Sequence, residues 1–447
     1  MTKAVVIHPV TRKAHARAPE ARLEEAVGLA AAIDLEVVRA ALAPVNRPAP
    51  ATFLGQGKVE EILEDLDGRD PRPGLVIVDC ALSPVQHRNL EKAWNAKVLD
   101  RTALILKIFG ERARTSEGRL QVELAHLTYQ RSRLVRSWTH LERQRGGRGF
   151  LGGPGERQLE SDRRALADKI DRLKEKLEDV RRTRSLQRAK RQRAPYPVVA
   201  LVGYTNAGKS TLFNRLTASD VLAKDLLFAT LDPTMRAAVL ESGQRIILSD
   251  TVGFISDLPT HLVAAFRATL EEVLEADVIV HVRDIAHADS EAQREDVLSV
   301  LDSLGVAPED ERPVIEALNK IDMLGGEERL AAQALARRSL DRDLFTLAEP
   351  AQVALSAASG EGILELETLI DRLVTAGREI FAIELPLGEG RARAFLHEAG
   401  DVLSEEADGD IARLSVRLTE KSKGQFAKAF PEAVFVQAAG GAARRLA

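Results

Sequence analysis

Of 447 residues only Cys80 is a cysteine, so no disulfide can close within the chain, which fits a reducing interior. Cys80 ends the apolar run GLVIVDC and reads as a small buried hydrophobe rather than a nucleophile. Aromatic residues make up 4%, so the cores must be built from Leu, Val, Ile and Ala. No apolar run approaches the ~20 residues that a membrane-spanning helix needs, and the opening MTKAVVIHPV lacks a secretory-signal pattern. These absences point to a cytoplasmic chain with no integral membrane segment, peripheral contact with a membrane being left open. An excess of one charge is missing too. The chain has 63 basic and 67 acidic residues, a net charge of −4, so nothing global marks it for nucleic acid. The nine histidines have no metal-ligand spacing, and no Ser-His-Asp or Cys-His arrangement can be placed.

What is present is a set of loops, each following an apolar strand. VVALVGYTNAGKST runs from Val198 to Thr211, and Gly203, Gly208, Lys209 and Ser210 satisfy G-x-x-x-x-G-K-[ST]. The glycines let backbone N–H groups curl around phosphate oxygens, and the helix that follows points its positive end at them. The cradle comprises Gly203, Tyr204, Thr205, Asn206, Ala207, Gly208, Lys209, Ser210 and Thr211. Lys209 can reach the β- and γ-phosphates and Ser210 can ligate Mg²⁺. RIILSDTVGF then ends a strand in Asp250, placed to hold Mg²⁺ through water, with Thr251, Val252 and Gly253 after it. The Gly253 N–H can face the γ-phosphate.

Two further loops identify the base. PVIEALNKID ends a strand with Asn319, Lys320, Ile321 and Asp322. A carboxylate here accepts both N1–H and the exocyclic N2–H of guanine. Adenine offers no such pair, and a site built on paired hydrogen bonds rejects the wrong partner by ~10⁴ or more. QVALSAASG places Ser356, Ala357 and Ala358 where a backbone N–H meets guanine O6. Between the first two loops lies LLFATLDPTMR, containing Phe228, Ala229, Thr230, Leu231 and Asp232. Thr230 is the chosen switch threonine, contacting Mg²⁺ and γ-phosphate, with Thr234 and Thr251 as competitors. The expected ligands are therefore GTP and GDP. Lys209, Thr230, Asp250 and Gly253 carry the hydrolytic site, and Ser210 and Thr230 the metal. Phe254 stands where many GTPases carry a water-orienting glutamine, and an apolar ring can neither polarise nor align water. Either a partner or a bound cation supplies that stabilisation, or turnover is slow. Asn206 resembles the asparagine of potassium-activated GTPases, which makes K⁺ a second candidate ion beside Mg²⁺; an ordinary turn-capping Asn is the other reading.

The rest of the chain divides around this core: 1–112 as a small α/β domain, 113–195 as a helical hairpin, 196–375 as the GTPase domain and 376–447 as a small α/β module. In the first part, strands are expected at 4–10, 36–45, 74–80 and 97–100, with helices at 20–32, 57–66 and 84–95. GQGK there fails the phosphate-loop pattern, because Val59 follows Lys58. Heptad-like spacing of Leu120, Leu124, Leu127, Arg131, Leu134, Trp138 and Leu141, repeated by Leu159, Arg163, Leu166, Ile170, Leu173, Leu177 and Val180, predicts two antiparallel, coiled-coil-like helices. Their tip, 146–155, holds six glycines and is flanked by Arg143, Arg145 and Arg157, with Arg148 inside it. It is either a solvated tip or a loop that moulds to RNA, with Phe150 stacking on a base. Arg181 to Arg193 carries seven basic residues and no acid, a phosphate-facing pattern. The tail is expected to form strands at 379–385, 411–418 and 433–437 and helices at 389–399 and 421–429; its function cannot be read.

GYTNAGKSTLFN, LFATLDPT, SDTVGFISDLP and NKID, with FLGQGKVEEI, LDRTALILKIFGERART and RGFLGGPGERQLE outside the nucleotide loops, resemble the HflX family of ribosome-associated GTPases over about residues 35–375. The resemblance implies a P-loop GTPase that binds the large ribosomal subunit and its ribosomal RNA as a monomer, splits ribosomes under stress, and brings the tip of its hairpin near the peptidyl-transferase centre. Two other readings remain: a nucleotide-gated RNA- or protein-binding switch with negligible turnover, and a signalling or membrane-linked switch that uses the hairpin to bind a protein.

Overall fold

Runs such as LVIV and VVALV are apolar on both strand faces, and each leads into a helix able to cover one of them. In this computed structural model the result is three sheets with helices packed against them. The structure describes residues 2–11, 17–144, 154–191, 196–218, 228, 234–256, 272–306, 312–340, 345–376 and 378–436, with side chains at 134–144, 154–159, 181, 184–191, 401 and 421 left aside.

The first sheet joins β1 (Thr2–Thr11), β2 (Leu35–Val45), β3 (Leu75–Val78) and β4 (Lys97–Asp100) in the order β2-β1-β3-β4, all parallel. Its helices are α1 (Pro19–Ala31), α2 (Gln56–Asp67), α3 (Pro84–Trp94) and α4 (Arg101–Arg112). GQGK is the start of α2, where Lys58 pairs with Glu61 at 2.8 Å. Helix α4 lies beyond the alternation read from the sequence. Asp100 caps it by accepting from the Ala103 N–H at 2.8 Å.

α5 (Ser116–Gln144) and α6 (Pro154–Arg191) follow. Leu120, Leu124, Leu127, Leu166, Ile170 and Leu173 form one apolar cluster between them, with Lys169 and Glu123 paired at 2.8 Å. Arg163, placed in the heptad pattern, is exposed, and α6 already begins at Pro154. Phe150, the tip arginines Arg143, Arg145, Arg148 and Arg157, and most of the basic run 181–193 lie outside the described side chains.

The second sheet runs β10-β9-β8-β5-β7-β6: β5 (Val198–Gly203), β6 (Thr234–Val239), β7 (Arg245–Asp250), β8 (Val278–Asp284), β9 (Val314–Asn319) and β10 (Ala351–Ala354). Neighbours are parallel except β6 and β7. α7 (Lys209–Thr217), α8 (Ser290–Leu304), α9 (Gly326–Ser339) and α10 (Ile363–Thr375) belong to it. The carboxyl ends of β5, β7, β9 and β10 therefore converge on one rim, where open α/β sheets bind ligands.

The third sheet has the order β12-β13-β11-β14, antiparallel throughout, from β11 (Arg378–Pro386), β12 (Asp401–Asp408), β13 (Ile411–Thr419) and β14 (Val434–Val436), with α11 (Gly390–Ala399) and α12 (Glu420–Ala429). The sequence reading missed β12. DVLSEEAD has four acids and little apolar alternation, and it is a strand because it hairpins onto β13 through Gly409. Arg417 of β13, itself buried, donates to Gln244 Oε1 at 2.7 Å and joins this sheet to the second. Among the described residues, no helix is long and apolar enough to cross a membrane.

Candidate nucleotide site

The phosphate loop leaves β5 at Gly203 and enters α7 at Lys209. Gly208, at φ +95°, caps α7 in the left-handed region, and a Cβ there would stand 2.2 Å from Asn319 Nδ2. Only glycine fits both the dihedral and the gap. Lys209 Nζ donates to the carbonyls of Gly203 (3.1 Å) and Tyr204 (2.7 Å). Burial pulls its ammonium down to about 8, while Asp250 pulls the other way. Ser210 Oγ donates to Asp250 Oδ2 at 2.8 Å. That bond uses the hydroxyl's proton, and an oxygen of this kind is the donor type that an oxygen-preferring dication takes beside phosphate oxygens and water. Among the described residues no group of three His, Cys, Asp or Glu side chains could hold a metal by itself.

The loop after β7 lies on the phosphate loop. The Phe254 N–H donates to Gly203 O at 3.1 Å and the Thr205 N–H to Phe254 O at 2.8 Å. Phe254 is buried, as are Thr251 and Val252. A Cβ on Gly253 would meet Thr205 Cγ2 at 2.8 Å and Lys209 Nζ at 3.1 Å, so this residue lies beside the ammonium that a terminal phosphate would face. Thr251 Oγ1 donates to Leu201 O at 2.7 Å, which commits that hydroxyl to the sheet and sets it apart from the switch role. Thr230, with Ala229, Leu231 and Asp232, lies outside the described residues. Thr234 opens β6 opposite Asp250.

The base-reading loops are fastened to the cradle. Asn319 Nδ2 donates to Ala207 O at 2.7 Å, and Asn319 Oδ1 accepts from the Ala357 N–H at 2.9 Å. The Ile321 N–H donates to Leu355 O, and Ser356 is fully buried. Lys320, at φ +68°, pairs with Asp284 at 2.8 Å. Asp322 and Ala358 are exposed at the rim. Sequence-predicted residues from three separate loops are thus brought together, with one refinement: the Ala357 N–H is spent on Asn319, leaving Ala358 as the next backbone donor on that loop. Asn206, at φ +61°, is exposed on the phosphate loop.

The sequence reading missed a charged cluster from the first sheet's helices that grips the same loops. Tyr204, expected at the nucleotide, turns its side chain the other way. Its hydroxyl donates to Glu25 Oε1 of α1 (3.0 Å) and accepts from the Ser256 N–H (2.8 Å) and from Arg17 (2.9 Å). Arg101, the first residue of α4, donates through Nη2 to Glu25 Oε1 (2.7 Å), Ser256 O (3.0 Å) and Ser256 Oγ (2.8 Å), and through Nη1 to Asp79 (2.6 Å). Burial alone would raise the Asp79 carboxyl, but Arg101 and His8 outweigh it and hold it at about 2. Two turns along α4, Phe109 meets Phe228 edge to face at 4.7 Å. One helix thereby touches both Phe228 and the loop after β7. The other end of the cluster reaches α5, where Tyr129 and Arg133 both bond the α4 cap, Asp100.

Three families match: "GTP-binding GTPase N-terminal" over residues 20–110, "GTP-binding GTPase Middle Region" over 112–191 and "50S ribosome-binding GTPase" over 198–320. A protein named GTPase HflX from Magnetococcus marinus is 47% identical over 95% of this chain and 94% of its own length. Another of that name from Escherichia coli is 43% identical over 89% of each. A GTP-binding protein from Sulfolobus solfataricus, solved with GDP, is 23% identical over 84% of this chain and 99% of its own, with a TM-score of 0.46.

Proposed function

Because this chain belongs to the GTPase HflX family and hydrolyses GTP, we propose that its GTP cycle drives binding to and release from the large ribosomal subunit. The observation that carries this reading is a chain of contacts from the loop after β7 to α5: Ser256, three residues after Gly253, is held by Arg101, whose chain neighbour Asp100 caps α4 and is bonded by Tyr129 and Arg133 of α5. The match of residues 198–320 to 50S-binding GTPases supports the choice of partner.

In this reading Lys209 and the N–H groups of 205–211 hold the phosphates, and the Gly253 N–H and Thr230 sense the terminal one. Ser210, and Asp250 through water, would hold Mg²⁺, which neutralises charge on the β- and γ-phosphates when bound. Asp322 accepts from guanine N1–H and N2–H, with Asn319 bracing its loop. Asn206 is the residue to which K⁺ dependence would trace. Phe254 is buried and offers no polar group, so the water must be oriented by a group from elsewhere, and the ribosome is the proposed source. The domain division at 112, 195 and 375, and the basic glycine-rich tip as the part that meets ribosomal RNA, belong to the same proposal, as does the splitting of ribosomes under stress.

The test is GTP hydrolysis by the full chain, as a monomer in the cytoplasmic range of salt, with and without isolated large subunits. Stimulation together with GTP-dependent co-sedimentation is the expected result. Binding without stimulation favours an RNA-binding switch, and the absence of both effects sinks the ribosomal reading.

A further inference from the structure

Arg215 is an exposed residue of α7, five positions after Ser210. Its guanidinium reaches the loop that follows β10. Nε donates to Ala357 O at 2.9 Å and Nη2 to Ala358 O at 2.6 Å. A trans peptide unit is planar, so its carbonyl and the N–H of the next residue point in opposite directions. Fixing Ala357 O therefore aims the Ala358 N–H away from α7. Fixing Ala358 O does the same for the Ser359 N–H, which donates to Ser356 Oγ at 3.1 Å. The Ala357 N–H is already bound by Asn319. A cation on a peptide carbonyl also draws electron density along the amide, and the N–H at the far end becomes a stronger donor.

We propose that Arg215 is a specificity-determining positioning residue: by forking to two carbonyls it aims and polarises the Ala358 N–H toward guanine O6. The inference rests on the guanine reading of Asp322. Adenine carries an amino donor where guanine has O6, so a rigidly aimed N–H meets donor against donor and rejects it, whereas a loose loop would turn aside. Asp322 and Arg215 then read different edges of one base. Asp322 reads the two ring-side donors, and Arg215, acting through Ala358, reads the acceptor.

Those edges can be tested apart with two analogues in the full chain. Inosine triphosphate keeps O6 and lacks the exocyclic N2 amine; 6-thioguanosine triphosphate keeps both donors and replaces O6 by a poor acceptor. Affinities are measured by displacement of a fluorescent GDP. Arg215 is exposed, so Arg215→Gln leaves the core intact. The preference for GTP over the 6-thio analogue is expected to fall about five- to tenfold in this variant, the size of a charge-assisted hydrogen bond near solvent. The preference for GTP over inosine triphosphate is expected to stay as in the parent. An unchanged 6-thio preference, or equal loss of both preferences, overturns the role of Arg215, the second outcome marking a loop loosened as a whole. Asp322→Asn serves as the separate control. It is expected to abolish the GTP-over-inosine preference, and if it does not, the guanine reading itself fails whatever Arg215 does.

Discussion

Arg101 and Ser256 are 155 positions apart, yet one guanidinium nitrogen donates to both the carbonyl and the hydroxyl of Ser256. Arg101 is 4% exposed and also faces the carboxylates of Glu25 and Asp79. Removing the cation leaves the buried Asp79 and the half-buried Glu25 without it, a far greater cost than the loss of the Ser256 bonds. Arg101→Gln is expected to destabilise folding by about 3–5 kcal/mol, as breaking a buried ion pair does. Ser256→Ala, which removes only a hydroxyl, should cost about 1 kcal/mol. Urea denaturation of both variants checks the ordering, and equal effects would show that the cluster is solvated.

Gly253 has no room for a methyl group against Thr205 and Lys209. Gly253→Ala must push the loop after β7 away from the phosphate loop, on the side where the terminal phosphate would lie. Single-turnover GTP hydrolysis is expected to drop at least about tenfold, roughly 1.4 kcal/mol of barrier, with GDP affinity little altered. Parent-like hydrolysis by this variant would remove Gly253 from the site.

The nucleotide loops were legible because their chemistry is local. Gly203 to Ser210, Asp250 and Asn319 to Asp322 each need fixed residue types at fixed spacing, and each sits at the end of an apolar strand. The second sheet follows from those same strands. Glu25, Arg101 and Tyr204 were not legible in their true role, since their partners are brought together only by packing between the first and second sheets. Glu25 looks like any carboxylate on an amphipathic helix, and Tyr204 like one more cradle residue. The one available signal was Arg101, a charge at the head of the mostly apolar TALILKIF, directly after a capping Asp. Strand β12 escaped for a related reason: its pairing with β13, not its composition, makes it a strand.

Lys209 makes binding dependent on pH. Its ammonium, pulled down to about 8 by burial, gains phosphate oxygens when a nucleotide binds, which raises its pKa again. The complex then holds more protons than the free protein above about pH 8. Affinity is full below that value and is lost as pH rises above it through the raised pKa of the complex. Calorimetry in buffers of different ionisation enthalpy should detect proton uptake near pH 8.5. Proton release there, or affinity that stays flat between about pH 7.5 and 9, would contradict a buried Lys209 facing phosphate.

Phe109 and Phe228 supply the last prediction. Phe228 stands two residues before Thr230 and is 2% exposed against Phe109, which is 1% exposed. Each ring is part of a core, so either alanine substitution alone should cost about 3–5 kcal/mol. The informative quantity is the difference from additivity. If α4 feels the segment around Thr230 through this edge-to-face pair, the double variant should be more stable than the sum of the single losses predicts, by about 0.5–1.5 kcal/mol. The cycle is run by denaturation without nucleotide and repeated with a non-hydrolysable GTP analogue. A coupling that shrinks when the analogue binds means that the terminal phosphate draws Phe228 off α4. An equal coupling in both states would confine communication between α4 and the nucleotide to the Ser256 side, and strict additivity in both would mean that the two rings merely share a wall.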